Sequence, residues 1–133
     1  MNNNNNQHTL IYNFSLRKDE ILRGEKNIQL LFKSKNSFFS FPFKVLYTAL
    51  EESVAQNKIL ISVPKRNFKR AVDRNKIKRQ IKEAYRTQKS KFVSQNNKTY
   101  FFTLLYLHTK IILYSELEKK VNLALVKLYQ INK

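Results

Sequence analysis

The sequence predicts a small α/β sandwich, and three observations carry that prediction. Three stretches repeat apolar residues at helical spacing, three others alternate or run apolar as strands do, and the two kinds interleave. The predicted order is helix, two or three strands, helix, strand, helix. At 133 residues with 42% apolar side chains, the chain can fill one core and one domain. One Gly and two Pro argue against a loop-built protein.

The elements follow in order. Residues 1–15, nearly all Asn from Asn2 to Asn6, hold little to bury and are expected to form a disordered tail before one domain at 16–133. Ile28, Leu31 and Phe32 fall at i, i+3 and i+4, which predicts a short amphipathic helix over Glu25–Lys33. A period of two then places Phe39, Phe41, Phe43, Val45 and Tyr47 on one face and Ser40, Pro42, Lys44 and Thr48 on the other. Pro42 makes this an edge strand or splits it in two. A polar turn over Glu51–Asn57 leads to a strand at Ile59–Val63, ended by Pro64. The next helix is expected over Asp73–Phe92, with Asp73 as N-cap and an apolar stripe of Ile77, Ile81, Ala84, Tyr85 and Phe92. Tyr100–Leu107, apolar but for one Thr, suits a central strand covered on both faces. Ser115 with Glu118 predicts a capping box for a last helix burying Leu117, Val121, Ala124, Leu125 and Leu128.

Charge is the informative quantity. Twenty-six Lys and Arg against nine Asp and Glu leave +17, which a polyanion would balance. Residues 65–91 hold twelve of the cations and only two acids, Asp73 and Glu83. At helical spacing Lys78, Arg79, Lys82 and Arg86 fan out opposite the Ile77/Ile81 stripe. Arg74 and Lys76 stand in the expected first turn, where the helix dipole disfavours cations by roughly 0.3–1 kcal/mol each. Lys65, Arg66, Lys69 and Arg70 just before it add to the repulsion. Free N–H groups and clustered cations together predict a phosphate site, with a solvated basic helix face as the alternative. Seventeen Phe and Tyr, densest over Phe38–Phe43, exceed what so small a core plainly needs. A groove between Ile28/Phe32 and the Phe43/Val45/Tyr47 face could stack unpaired bases, with core packing as the alternative.

Other chemistries find little support. Cys is absent, so disulfides and thiolate metal sites are excluded. No apolar run approaches the roughly 18 residues of a membrane span, and no secretory signal opens the chain, so cytoplasm is the expected address. His8 and His108 lack the setting of a catalytic dyad, and Asp19/Glu20 and Glu51/Glu52 are expected in loops. A Mg²⁺-dependent nuclease gathers several carboxylates, and no spacing here suggests that. No catalytic residue and no metal ligand is assigned.

The segment Lys65–Arg86 closely resembles the signature of the bacterial ribonuclease P protein, A-V-x-R-N-x-x-K-R-x-x-[RK]-E. Ala71, Val72, Arg74, Asn75, Lys78, Arg79, Lys82 and Glu83 match it position by position. Phe32, Val45-Leu46-Tyr47 and Ile59–Val63 extend the likeness less specifically. The resemblance implies an αβββαβα two-layer α+β sandwich, a four-stranded mixed sheet with three helices of the ribosomal-protein-S5-domain-2-like type. It also implies a left-handed βαβ crossover, against the usual handedness.

In function, it implies an endoribonuclease ribonucleoprotein that removes the 5′ leader of precursor tRNA. Catalysis and Mg²⁺ would belong to the RNA subunit, and this chain would bind no cofactor. Arg74, Asn75, Lys76, Lys78, Arg79 and Lys82 would contact that RNA, joined by Lys65, Arg66, Arg70 and Arg86 of the same basic segment. Ile28, Phe32 and Tyr47, with Phe43 and Val45 beside them, would line the leader cleft. The expected partners are the RNA subunit and precursor tRNA, with no membrane and no required protein partner. Three departures stand out. Lys76 replaces a second Arg, keeping charge but losing bidentate geometry. Ile28 replaces a common Phe, and the loop at Asn67–Arg70 is one residue longer. A ribosomal or RNA-assembly protein would share the charge without needing a leader cleft, and a nuclease acting alone would need catalytic groups of its own.

Overall fold

Pro42 has no N–H to give to a ladder, and the chain reverses on it. The computed structural model describes residues 20–50, 57–92 and 99–131. Within them lie α1 (Glu25–Lys33), β1 (Ser37–Ser40), β2 (Phe43–Leu50), β3 (Lys58–Ser62), α2 (Ala71–Gln88), β4 (Thr99–Tyr106) and α3 (Tyr114–Ile131), with a 3₁₀ turn over Lys89–Phe92. This is the expected αβββαβα order. The Asn-rich tail, the turn at 51–56 and the side chain of Phe92 lie outside the described residues. The strands form one sheet in the order β1-β2-β4-β3. The β1–β2 and β2–β4 pairs are antiparallel, while β3 and β4 run parallel with α2 between them. β4 is therefore central, which is why its run from Tyr100 to Tyr106 is apolar but for Thr103.

The sheet has two unlike faces. On one, Phe43, Val45 and Tyr47 stand opposite Tyr106, Leu104 and Phe102, and Ile59 lies beside Phe102. Ile77, Ile81, Ala84 and Tyr85 of α2 and Leu117, Val121, Ala124, Leu125 and Leu128 of α3 close over them as the main core. Each fully buried large apolar side chain there contributes roughly 1.5–3 kcal/mol. The other face carries three rows across β2, β4 and β3: Lys44–Leu105–Ser62, Leu46–Thr103–Leu60 and Thr48–Phe101–Lys58. The short α1 covers only part of it. Leu31 and Leu22 pack on Phe101, with Ile28, Leu46 and Leu60 at the margin.

Two contacts fix α1. Gly24, the chain's one glycine, stands just before α1 at φ +87°, where a side chain would be strained. Ser34 at its other end donates its hydroxyl to the Tyr47 carbonyl at 2.8 Å.

Several expectations need correction. The aromatic segment is a hairpin, so the reversal at Pro42 puts Phe39 opposite Lys44, away from the face of Phe43. The middle helix begins at Ala71 and ends at Gln88, capped by Arg70 in extended conformation. Asp73 therefore sits in the first turn, not at the cap. The last helix starts before Ser115: the Leu117 N–H bonds the Leu113 carbonyl at 2.9 Å, so Leu113 caps it and the Ser115–Glu118 box does not form. Tyr114, packed against the core, is the helix's first residue. Glu20 is no loop acid. Its carboxylate is buried and takes Lys89 Nζ at 2.6 and 2.7 Å.

Candidate nucleic-acid interface

Because α2 buries Ile77, Ile81, Ala84 and Tyr85, helical geometry turns its cations outward. Lys76, Arg79 and Lys82 are exposed together with Asn75, and Lys78 and Arg86 are half-buried. Lys65, Arg66, Lys69 and Arg70 are exposed on the segment that enters the helix. Sequence and structure agree on this ridge.

The protein's own acids do little to balance it. Asp73 reaches Arg70 at 3.5 Å, with the Arg70 side chain 74% exposed. Glu83 binds Arg86, whose hydrogen bonds hold the Glu83 carboxyl below its usual range. Exposed pairs of this kind stabilise by about 0–1 kcal/mol. Lys65, Arg66, Lys69, Lys76, Lys78, Arg79 and Lys82 make no ion pair with any described carboxylate. At the entry of α2 no side chain caps the helix. The first backbone bond there runs from the Arg74 N–H to the Arg70 carbonyl at 3.2 Å. The N–H groups before it are the orphan donors that attract an anion.

Arg74 has a second task that its position in the signature does not reveal. Its Nη1 donates to the carbonyls of Phe68 and Lys69, both at 2.8 Å. The side chain is half-buried and clamps the loop that carries the other cations. Only the folded loop exposes this role, since the bond partners are backbone atoms with no side-chain signature.

The expected cleft is not one surface. Ile28 and Phe32 belong to α1, with Phe32 54% exposed. Phe43, Val45 and Tyr47 lie on the opposite side of the sheet, buried under α2 and α3. What adjoins α1 is the alternate set, Leu46, Leu60 and Thr103, and beyond them Lys44, Leu105 and Ser62. Lys44 is exposed, and Leu105 and Ser62 are half-buried. The signal was present in β2: a strand face mixing Lys, Leu and Thr is half-covered, whereas the all-apolar face belongs under two helices.

No group of three His, Cys, Asp or Glu that could hold a metal gathers among the described residues. His108 stands against the rings of Phe41 and Tyr106. Among the described residues no helix is long and apolar enough to cross a membrane.

These features define a small α+β domain with a basic helical ridge and, on the far side of its sheet, a half-covered face. The Ribonuclease P family model matches residues 16–129, and the chain belongs to that family. The ribonuclease P protein component of Porphyromonas gingivalis is 40% identical over 77 residues, 57% of this chain and 56% of that protein. That of Chlorobium phaeobacteroides is 40% identical over 79 residues, 56% of this chain and 54% of that one. The match thus spans a little over half the length of these relatives. Among solved structures, a mutant Staphylococcus aureus RNase P protein superposes with TM-score 0.69 at 20% identity, covering 95% of this chain and 96% of that one. The RNase P protein from Thermotoga maritima gives 0.64 at 21% identity, covering 86% and 98%. These likenesses show the same fold.

Proposed function

We propose that this chain is the protein subunit of ribonuclease P, binding the RNA subunit and assisting removal of the 5′ leader from precursor tRNA. The observation that carries this is the α2 ridge, whose exposed cations have almost no acids of their own. Phosphates brought against Lys65, Arg66, Arg70, Lys76, Lys78, Arg79, Lys82 and Arg86 would release counterions, and this drives association, with Asn75 adding a neutral hydrogen bond. Arg74 acts chiefly by holding the entry loop in shape. Two RNAs that repel each other can then approach across a positive surface.

The leader belongs on the half-covered face of the sheet. Ile28 and Phe32 of α1 form one wall, and Leu46, Leu105 and Lys44 form the floor, apolar for bases with one cation for a phosphate. Among the described residues no group of acids gathers that could cage Mg²⁺; in this reading the ion is held by RNA. A cytoplasmic site of action fits this role.

Reconstitution with a ribonuclease P RNA at low Mg²⁺ tests the reading. Precursor tRNA should be cleaved at the leader junction when both parts are present and not by the protein alone. A protein that leaves the RNA's activity unchanged, or that cleaves without RNA, rules the proposal out.

A further inference from the structure

The β1–β2 turn carries an exposed aromatic cluster that neither the core nor the ridge uses. Phe39 and Phe41 are 54% and 48% exposed, with ring centroids 6.5 Å apart. His108 meets Phe41 edge-on at 5.2 Å and Tyr106 at 6.3 Å. Tyr106 in turn lies 6.1 Å from Phe68, in the loop that enters α2. A relay of rings therefore runs from the hairpin tip to the anion-attracting end of α2. The tip is anchored, since the Leu107 N–H bonds the Pro42 carbonyl at 2.9 Å. Its rings are presented on a fixed backbone.

Cations surround these rings. Lys120 Nζ stands 5.8 Å from the Phe41 centroid, and Lys127 Nζ donates to the Phe39 carbonyl at 3.3 Å. Lys44 pairs with Phe39 across β1 and β2. Glu116, one helical turn before Lys120, is the acid closest along that face of α3. An apolar partner would leave these lysines uncompensated, and a basic one would be repelled. Flat rings framed by cations suit a ligand that is itself flat-ringed and anionic, which is a single strand of nucleic acid.

We propose that Phe39, Phe41 and His108 form a stacking platform for unpaired bases of an RNA strand, with Lys44 and Lys120 meeting the adjoining phosphates. The platform rests on the RNA-binding reading above, shares Lys44 with the floor of the leader face and adds a ring contact at the hairpin tip beyond it. Single-stranded and hairpin-duplex RNA oligonucleotides, fluorescently labelled, would be titrated by anisotropy against the full chain and its Phe39→Leu, Phe41→Leu and Phe41→Tyr variants across a range of salt. Loss of one ring should weaken single-strand binding by about tenfold, leave the duplex nearly unaffected and keep the salt slope. Phe41→Tyr should restore binding. Melting curves show whether each variant is folded, and two separate leucine variants guard against one that is not.

Unchanged single-strand affinity in both leucine variants overturns the platform while leaving the subunit reading intact. So does an equal loss on the duplex. A wild-type chain that binds neither RNA overturns both.

Discussion

Arg74 and Arg79 sit on the same helix but are held differently, and that difference separates their effects. Arg74 is spent on two loop carbonyls, whereas Arg79 is exposed and meets no described acid. Arg74→Ala should destabilise the fold by about 1 kcal/mol, because two loop carbonyls, one part-buried and one exposed, lose a charged donor, and its melting temperature should drop by a few degrees. Arg79→Ala should melt within about 0.5 kcal/mol of the parent yet bind RNA more weakly, its log–log salt slope falling by about one. Equal melting losses for the two would erase the distinction. The aromatic pair makes a parallel contrast. Tyr47→Ala empties a core site and should cost about 3–5 kcal/mol whatever RNA is present. Phe32→Ala removes a ring that is already exposed, so it should spare stability and reduce affinity for leader-bearing precursor more than for mature tRNA. A precursor-selective effect from Tyr47→Ala in a stably folded variant would contradict the burial described here.

At the scale of elements, periodicity located the pieces better than it oriented them. Glu25–Lys33 is bounded as the Ile28/Leu31/Phe32 spacing predicts, and Ile77, Ile81, Ala84 and Tyr85 of α2 and the stripe of α3 are buried as expected, while Phe92 falls beyond the end of α2. Which side of β2 faces outward is not legible from Phe43, Val45 and Tyr47 taken by themselves, since an apolar set fits a core and a groove equally; it becomes so only when the mixed Lys44/Leu46/Thr48 set is weighed against them. The decision lies in how much cover each face receives: α2 and α3 are 18 residues each, and α1 is nine. The larger helical layer takes the larger aromatic set. Likewise, no local pattern pairs Glu20 with Lys89, because they meet only after the sheet has formed. Their ion pair ties the segment before α1 to the turn after α2, with side chains 12% and 8% exposed. Removing one partner takes charge-assisted hydrogen bonds from the other in a buried setting, so Glu20→Gln or Lys89→Met should each cost about 1.5–3 kcal/mol. The double variant should recover most of that loss, as urea titrations of all four proteins in a double-mutant cycle would register. Strictly additive losses would show that the two groups act independently.

For the whole molecule, a formal charge of +17 works against compactness, and the buried tyrosines reveal how pH acts on the balance. Burial holds the Tyr85 and Tyr129 hydroxyls well above the usual 10.0, and Asn57 donating to Tyr129 at 2.6 Å only partly offsets it. In the unfolded chain both lose their protons near pH 10, while the folded chain keeps them. The folded state then binds more protons, so the stability from these groups is complete below about pH 10 and falls above it, by about 1.4 kcal/mol per pH unit for each. Lysines shed their charge over nearly the same range, near pH 10.4, and the relief of repulsion pushes stability the other way. A simple alkaline melting curve therefore mixes two opposing slopes. Tyr85→Phe separates them, because it removes one hydroxyl and leaves both the ring and every lysine in place. Urea unfolding of parent and variant should give a stability difference that is flat up to about pH 10 and then turns in favour of the variant with each further step. A difference that stays constant into the alkaline range would mean that the Tyr85 hydroxyl reaches solvent in the folded chain, and that α2 does not seal the main core at its centre.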